Sequence, residues 1–329
     1  MSVLVTGGAG FIGSHMVLEL VDRGERVTVL DDLSTGFEWA VAPAAELVIG
    51  DVGDRVLLDR LMKARGIETV MHFAGSIVVP DSVADPLGYY LNNTVKSREL
   101  IAAAVANGVP NFVFSSTSAV YGAPETVPVT EDTPLNPMSP YGASKAMTER
   151  MLADASVAYG LRYIALRYFN VAGADPSGRV GQSTRGATHL LKVALEAATG
   201  KREHVAVFGT DYDTPDGTGI RDYIHVSDLV GAHAAALDHL RNRGESLVLN
   251  CGYGHGYSVL ELLDAVQRVA GRALDIRARA RRAGDVPMMV AAADRIKEKL
   301  DWKPRYDDIE TIVAHALAWE EQLQKKLAA

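Results

Sequence analysis

The sequence predicts an α/β fold in which a doubly wound parallel sheet is joined to a smaller α/β domain. Three observations predict this fold. Segments with strand and helix patterns alternate up to about residue 168, a glycine-rich turn follows the first strand, and an acidic residue ends the second. Repeated β-α units form parallel sheets, which bind their ligands at the carboxyl ends of the strands.

The first β-α unit has the pattern of a dinucleotide-binding site. Residues 3–5 form a short apolar strand, and Gly7, Gly10 and Gly13 follow where a helix begins. Glycines there allow a tight turn and a close approach of a pyrophosphate to the helix N-terminus. A second strand ends at Asp31, 18 residues after Gly13, where a carboxylate binds an adenosine ribose and repels a 2′-phosphate. The unit favours NAD over NADP, with a glycine-rich loop of no particular function as the alternative.

The later elements continue this alternation. Strand patterns cover residues 46–51, 69–75, 111–116, 161–168 and 205–208. Helical patterns cover residues 87–106 and 189–198, and an Ala-rich helix ends at residue 240. After residue 170 the pattern becomes irregular and rich in turns, which indicates a second domain.

Tyr141 and Lys145 lie one helical turn apart, so their side chains leave from the same face of a helix. An ammonium about 4 Å from a phenol favours the phenolate by ~4 kcal/mol at an effective dielectric near 20, or roughly three pKa units. We therefore expect the pKa of Tyr141 to fall toward neutral pH, as a general base requires. Because the spacing is common, an incidental tyrosine at a helix start is the alternative.

Composition argues against several classes of protein. The 329-residue chain has a net charge of −8, which disfavours nucleic acid and anionic membrane surfaces as partners. No apolar stretch reaches about 20 residues and the first strand starts at residue 3, so we expect neither a membrane span nor a signal peptide. The single cysteine, Cys251, suits burial and a reducing cytoplasm, and the nine histidines show no metal-binding spacing.

Five motifs together resemble the extended short-chain dehydrogenase/reductase superfamily and, within it, the UDP-glucose 4-epimerases. They are TGGAGFIGS at residues 6–14, SST at 115–117, Tyr141-x-x-x-Lys145, RYFN at 167–170 and DGTGIRDYIHV at 216–226. The resemblance extends from residue 3 to about 319, and its last motif is especially specific. It implies a Rossmann domain, an isomerase that interconverts UDP-glucose and UDP-galactose, and a tightly held NAD that is regenerated in each cycle.

The resemblance also implies the catalytic roles. Tyr141 would take the proton of the sugar 4-OH while C4 gives a hydride to NAD, and the 4-keto sugar would turn over before the hydride returns. Lys145 would lower the pKa of Tyr141 and bind the nicotinamide ribose. The Thr117 hydroxyl would bond the reacting oxygen, unless Thr117 is only a β-branched residue at a strand end.

Further positions match the family's residues for the two ligands. The cofactor positions are Gly7, Gly10, Phe11, Ile12, Gly13, Asp31, Asp51, Val52, Phe73, Ala74, Gly75, Asn92, Tyr141, Lys145 and Tyr168. The substrate positions are Thr117, Tyr141, Asn170, His189, Leu190, Phe208, Arg221, Arg282 and Asp285. Asp51 is expected to meet the adenine amino group, with a helix N-cap as the alternative. Asn92 is expected near the nicotinamide-side phosphate, and its neighbour Asn93 is a rival assignment.

The substrate diphosphate needs cationic partners in a chain of net charge −8. The resemblance places Arg221 and Arg282 there as planar forks, which would offset the unfavourable global charge. It places Phe208 against the uracil ring.

Three positions depart from the family pattern or leave it open. Ile77 stands where some relatives carry a lysine near the cofactor. Met289 stands at the position whose bulk, in the family, gates N-acetylated sugars, and its intermediate size leaves acceptance of UDP-N-acetylglucosamine open. A 4-epimerase of another UDP-sugar, either UDP-N-acetylglucosamine or a UDP-pentose, is therefore an alternative function. The residues after Thr117 lack the Asp-Glu pair of 4,6-dehydratases, which disfavours dehydration. A net oxidoreductase on the same scaffold and a non-catalytic NAD-sensing protein are rival interpretations of the function.

The resemblance implies two domains and a homodimer. The NAD-binding Rossmann domain would cover residues 1–169 and about 222–251, and the UDP-sugar-binding domain residues 170–221 and about 252–329. The dimer would form through the long helices after Leu87 and after Tyr141. The apolar side chains that support this interface are Leu100, Ile101, Met147 and Met151.

Overall fold

The computed structural model describes residues 1–282 and 284–328. The elements up to residue 168 are β1 (Ser2–Thr6), α1 (Phe11–Asp22), β2 (Arg26–Asp31), β3 (Glu46–Ile49), α2 (Arg55–Arg65), β4 (Thr69–His72), α3 (Val79–Ala84), α4 (Pro86–Tyr89), α5 (Lys96–Ala106), β5 (Asn111–Ser115), α6 (Pro140–Tyr159) and β6 (Arg162–Tyr168). The later elements are β7 (Asn170–Ala172), α7 (Leu190–Ala198), β8 (Val205–Phe208), β9 (Ile220–Arg221), β10 (Tyr223–His225), α8 (Val226–Arg241), β11 (Leu247–Cys251), β12 (Tyr257–Ser258), α9 (Val259–Ala270), β13 (Ile276–Arg279), β14 (Met288–Met289), α10 (Asp294–Leu300) and α11 (Ile309–Ala328).

A seven-stranded sheet in the order β11-β6-β5-β4-β1-β2-β3 organises the structure. All of its neighbouring strands run parallel. From β1 the chain moves outward to β2 and β3 and then returns to β4 on the other side of β1. This reversal is the point at which open parallel sheets bind ligands. The predicted doubly wound sheet is confirmed.

The central strands are apolar because helices cover both faces of the sheet. All five residues of β1 are buried. Val3 and Val5 belong to one core cluster with Met16 of α1, whereas Leu4 belongs to a second cluster with Leu58 of α2. Successive side chains of a strand point to opposite faces, so the two clusters are the two sides of a three-layer α/β arrangement.

Smaller sheets follow the main one. β8 pairs with β13, β7 pairs with β10, and β9 lies between β12 and β14. Helix α9 starts with a capping box in which Ser258 and Glu261 satisfy each other's backbone N–H groups. The pairing of β9 with β14 brings the end of the turn-rich segment 209–221 next to residues 287–289.

The element boundaries differ from the sequence pattern in two ways. Helix α1 begins at Phe11, whereas the helical pattern of the sequence starts at His15, because residues 11–14 form its first turn. The helix predicted for residues 87–106 is divided into α4, a π-helical turn at Tyr90–Val95, and α5. A π-turn inserts an extra residue into a helix and often marks a functional site. It changes the directions in which Asn92 and Asn93 point.

Candidate active site

The glycine-rich turn between β1 and α1 packs against the loop after β4. Gly7 has a φ of +73°, and a Cβ there would lie 2.5 Å from the backbone N of Ala74. A Cβ on Gly13 would lie 2.0 Å from the carbonyl oxygen of Gly7. Gly10 precedes α1 without any side-chain cap, so the N–H groups of the first turn, including those of Phe11 and Ile12, have no side-chain partner. The turn therefore has the shape and the donors that a dinucleotide pyrophosphate requires.

Asp31 lies at the end of β2, beside this turn. Its buried carboxylate accepts the backbone N–H of Ala9 at 2.9 Å and that of Leu33 at 2.8 Å. Burial raises the pKa of Asp31, and the two N–H groups oppose that rise. Each carboxylate oxygen has a second lone pair, so the group can hold the glycine turn and still accept a ribose hydroxyl. Its ribose role stays a prediction.

Asp51 and Val52 lie in the loop after β3. Asp51 accepts a hydrogen bond from Lys96 at 2.6 Å and one from the backbone N–H of Gly53 at 2.7 Å. Helix α2 is instead capped by Asp54, which accepts the N–H of Leu57 at 3.0 Å. The N-cap interpretation of Asp51 is therefore wrong, and its half-exposed carboxylate faces a loop where a ligand can reach it.

The structure distinguishes Asn92 from Asn93. The buried Asn93 side chain bonds both the N–H and the carbonyl of Ser76, at 2.8 and 2.9 Å, and the hydroxyl of Ser144 at 3.1 Å. It joins the loop after β4 to helix α6. Asn92 is only partly buried and donates a hydrogen bond to the Ser76 hydroxyl at 2.8 Å. Because the amide of Asn93 is already committed, the geometry favours Asn92 as the ligand of the pair.

The segment 73–75 lies at the end of β4, between the glycine turn and α6. The ring of Phe73 lies 4.9 Å from that of His233 in α8. Gly75 has a φ of +154°, and a Cβ there would lie 3.7 Å from Nζ of Lys145. Ile77, in the same loop, is 47% exposed and offers no charge.

Thr117, Tyr141 and Lys145 come together at the carboxyl end of β5. Helix α6 begins after Ser139, whose hydroxyl accepts the N–H of Gly142. Tyr141 and Lys145 are buried on this helix, and the Thr117 hydroxyl lies close enough to the Tyr141 phenol to act on its pKa. The predicted catalytic group is therefore assembled in one place.

The pKa values in this group differ from the expectation. Burial raises the pKa of Tyr141 to about 12, and the hydrogen bond from Thr117 only partly opposes that rise. Burial lowers the pKa of Lys145 to about 8. The prediction that Lys145 brings the phenol toward neutral pH is wrong for the protein by itself. The physical reason is that removing the phenolate from water dominates, while Lys145 donates its hydrogen bond to the Ser115 carbonyl at 3.1 Å.

Tyr168 reaches the same region from β6. Its hydroxyl lies 2.6 Å from the Ser115 hydroxyl, so Ser115 connects Tyr168 and Lys145. The sequence pattern includes Ser115 in the Ser-Ser-Thr run but indicates no role for it. Its position at the carboxyl end of a central strand was the available signal.

The predicted substrate residues form separate groups. The Arg282 guanidinium lies 3.7 Å from the centre of the Phe208 ring, and the N–H of Asp285 bonds the Arg282 carbonyl at 3.3 Å.

Arg221 pairs with Met289 between β9 and β14. Met289 is buried in a cluster that includes Tyr121 and Phe169, which leaves little room for a larger side chain. The remaining positions are Asn170, exposed at the start of β7, His189, exposed before α7, and Leu190, partly buried in α7.

Three further features of the described residues concern metal binding, membrane spans and the single cysteine. No group of His, Cys, Asp or Glu within residues 1–282 and 284–328 has the arrangement of a metal site. In the same part of the chain, no helix combines the length and the apolar character of a membrane span. Cys251 is fully buried and burial raises its pKa, which fits packing rather than a nucleophilic role.

Comparison with known proteins decides the family. Residues 3–252 match the family described as the NAD dependent epimerase/dehydratase family. The chain is 56% identical to a UDP-glucose 4-epimerase of Azospirillum brasilense over 325 residues, which cover 99% of this chain and 93% of that protein. This chain belongs to the UDP-glucose 4-epimerase family.

Solved structures agree with this family assignment. A UDP-glucose 4-epimerase from Brucella ovis in complex with NAD superposes with a TM-score of 0.94 at 44% identity, covering 96% of this chain and 97% of that one. The enzyme from Bifidobacterium longum, in complex with NAD+ and UDP, has a TM-score of 0.94 at 38% identity and covers 98% of both chains. The predicted family, the isomerase class and NAD as cofactor are confirmed.

Proposed function

We propose that this protein interconverts UDP-glucose and UDP-galactose and keeps its NAD throughout the reaction. The observation that carries the proposal is the meeting of Thr117, Tyr141 and Lys145 at the carboxyl end of the sheet, in a chain of this family. The glycine turn after β1 lies at the strand reversal of the same sheet. A bound dinucleotide and a sugar therefore reach the buried phenol from one edge of the sheet.

The residues of the chain move the proton. The NAD held by the glycine turn supplies a reversible hydride acceptor for C4 of the sugar. Tyr141 accepts the proton of the 4-OH, and the Thr117 hydroxyl orients the same oxygen. Once the 4-keto sugar has turned over and C4 has regained its hydride on the other face, return of the proton from Tyr141 gives the epimer. Both the hydride and the proton go back to the sugar, so the cycle needs no added cofactor.

The electrostatics set a condition on this proton transfer. Because burial raises the pKa of Tyr141 to about 12, its ionised form needs a positive charge nearby. Lys145 has its pKa lowered only to about 8, so it keeps its proton at neutral pH. Lys145 lies one helical turn from Tyr141 on the same face of α6. Lys145 is therefore the residue that we assign to stabilise the phenolate.

The substrate nucleotide is assigned to the second group of residues. The stacked Phe208 and Arg282 present a ring and a guanidinium together, which suits a uracil and a phosphate. Arg221 supplies a second planar fork from β9. Asn170, His189, Leu190 and Asp285 keep the sugar and uridine contacts that the resemblance implies.

Two domains are part of the proposal. We assign residues 1–169 and about 222–251 to NAD, and residues 170–221 and about 252–329 to the UDP-sugar. The pairing of β11 with β6 and the packing of α8 beside α1 support placing residues 222–251 with the sheet.

A homodimer in the cytoplasm is also part of the proposal. Leu100 and Ile101, two of the side chains expected at the dimer face, are buried in the chain's own core. Met151 packs against the same core, whereas Met147 is 46% exposed. The apolar side chains exposed on α4, the π-turn and α6 include Leu87, Leu91, Val95 and Met147. They support an interface along the predicted helices, and the single buried Cys251 suits a reducing compartment.

Incubation of the purified protein with UDP-galactose, without added NAD, tests the proposal. The expected product is UDP-glucose, with no net NADH.

A matched Tyr141→Phe variant should still bind NAD but turn over orders of magnitude more slowly, because it has no proton acceptor. Consumption of soluble NAD+ would indicate an oxidoreductase, and NAD binding without turnover a sensing protein. Near-normal turnover by Tyr141→Phe would remove Tyr141 as the base. A parallel incubation with UDP-N-acetylgalactosamine tests the alternative substrate.

A further inference from the structure

A buried ion pair lies behind the catalytic group. The carboxylate of Glu149 and the guanidinium of Arg167 are each at most 6% exposed, and Nη2 of Arg167 lies 2.6 Å from Oε2 of Glu149. Nε of Arg167 bonds both carboxylate oxygens, at 3.0 and 3.2 Å. The pair is therefore bidentate and fixed in orientation.

Glu149 is connected to the catalytic group through helix α6 and through Ser116. It follows Lys145 by four residues and Tyr141 by eight on α6, so all three side chains lie on one face of the helix. Its Oε1 accepts the Ser116 hydroxyl at 2.5 Å. Ser116 stands between Ser115, whose carbonyl accepts a hydrogen bond from Lys145, and Thr117, whose hydroxyl acts on the pKa of Tyr141.

Stability alone is a poor reason for such a pair. Removing two charges from water costs several kcal/mol for each ion, and apolar residues of similar volume often replace a buried pair with no loss of stability. The pair could therefore be exchanged for packed apolar residues if it served only the core. Its location, one helical turn from Lys145 and in direct contact with the strand end that carries Thr117, indicates a role in the site.

We propose that Glu149, held by Arg167 and Ser116, is a positioning residue that fixes the Lys145 ammonium and the Ser115–Thr117 strand end in their working arrangement. This inference rests on the proposed epimerase function. Glu149 itself does not touch the sugar or the nicotinamide in this scheme. It acts through Lys145 and through the backbone of the neighbouring strand end.

The charged and titratable groups around Lys145 make Glu149 important. Tyr141 and Glu149 share its face of α6, and His72 of β4 lies close enough for the Lys145 charge to help lower its pKa. Ser115 connects Lys145 to Tyr168 of β6, and Arg167 of β6 is ion-paired with Glu149. Burial lowers the pKa of His72 to about 3, so that ring is neutral, and burial keeps both phenols neutral as well. Among these groups Glu149 is the one anion, and its charge opposes the effect of burial on Lys145.

The pH dependence of activity should follow the protonation of Lys145. The pKa of Lys145 is lowered to about 8, and the proposed mechanism uses the ammonium, so activity falls as the pH rises through that pKa. Loss of the Glu149 charge lowers the pKa of Lys145 further. The pH above which kcat/KM falls should then decrease by at least about one unit. At pH values above this fall in both proteins, the variant should be about tenfold less active than the unmodified protein.

The test compares pH profiles of kcat/KM for epimerisation of UDP-galactose by the NAD-containing protein. Glu149→Gln should show the shifted alkaline limb, whereas Glu149→Asp should keep the limb of the unmodified protein at a lower rate. Glu320→Gln is the matched control, because Glu320 is 1% exposed and ion-paired with Lys192 and Lys201 at a distant position in α11. It should lower the melting temperature and leave the pH profile unchanged.

A double variant separates a folding defect from a positioning role. Glu149→Leu combined with Arg167→Met removes both charges with similar volume, so the fold is expected to persist. We expect an alkaline shift in the same direction but smaller than in Glu149→Gln, since Lys145 still lacks its anion while the opposing Arg167 cation is also removed. An unshifted limb in both Glu149→Gln and the double variant would overturn the inference. An unmodified protein that does not epimerise UDP-galactose would instead refute the proposed function on which it rests.

Discussion

Replacing Gly13 by alanine tests whether the close packing of the glycine turn is what makes the cofactor site. The new Cβ would lie 2.0 Å from the carbonyl oxygen of Gly7 and 2.9 Å from Cα of Gly8. Ordinary contacts begin near 3.4 Å, so the turn and helix α1 have to separate by about 1.4 Å. Overpacking of this kind costs about 1–3 kcal/mol, of which the better helix propensity of alanine offsets up to ~1 kcal/mol.

The larger effect should appear in cofactor binding. A separation of that size misaligns the first-turn N–H groups, and each charge-assisted hydrogen bond lost is worth about 1.5–3 kcal/mol. One or two such losses weaken NAD binding by roughly tenfold to several thousandfold. We expect Gly13→Ala to be purified with little NAD and to melt a few degrees lower. NAD content by absorbance, calorimetric NAD titration and thermal unfolding measure these outcomes.

Gly10→Ala is the matched control for this prediction. A Cβ at Gly10 would lie 3.4 Å from the Gly7 carbonyl oxygen, an ordinary contact, so the protein should fold with unchanged stability. Any loss of NAD in that variant would come from the methyl group meeting the cofactor. The reasoning would be refuted if Gly13→Ala kept normal NAD affinity and stability, or if Gly10→Ala were the less stable of the two.

Two further predictions concern selectivity. Asp31→Ala should reduce the preference for NAD over NADP and also lower stability by about 1–3 kcal/mol, because the N–H groups of Ala9 and Leu33 lose their acceptor. Asp31→Asn keeps one acceptor oxygen and should separate the two effects; unchanged relative affinities in both variants would exclude the ribose role. Met289→Tyr should reduce activity toward N-acetylated UDP-sugars relative to UDP-galactose, and it should cost about 1–3 kcal/mol of stability because Met289 is buried. An unchanged ratio of the two activities would reject a gating role.

Local sequence was enough to predict the glycine turn after β1 and the acidic residue at the end of β2. Gly13 is required by its distance to Gly7 inside one β-α unit, the positive φ of Gly7 belongs to the same turn, and Asp31 follows at the end of the adjacent strand. These constraints act over short stretches of chain, so residue type and spacing express them directly. The Tyr-x-x-x-Lys spacing fixed the shared helix face of Tyr141 and Lys145 for the same reason.

Tertiary structure decided the chemistry of that pair and the choices between neighbours. The direction of the Tyr141 pKa shift depends on burial by groups distant in sequence, so spacing with Lys145 alone predicted it wrongly. The preference for Asn92 over Asn93 depends on a π-turn and on Ser76.

What the sequence alone determined about this protein is therefore its fold class, its family and the glycine turn after β1. What only the tertiary structure decided is the contact of Glu149 with Arg167 and Ser116, the stacking of Arg282 on Phe208, and the burial that sets each pKa. The physical reason is the separation along the chain of the residues that each feature depends on. Turns and helix faces depend on residues a few positions apart. Desolvation and ion pairing depend on which distant strands and helices the folded chain brings together.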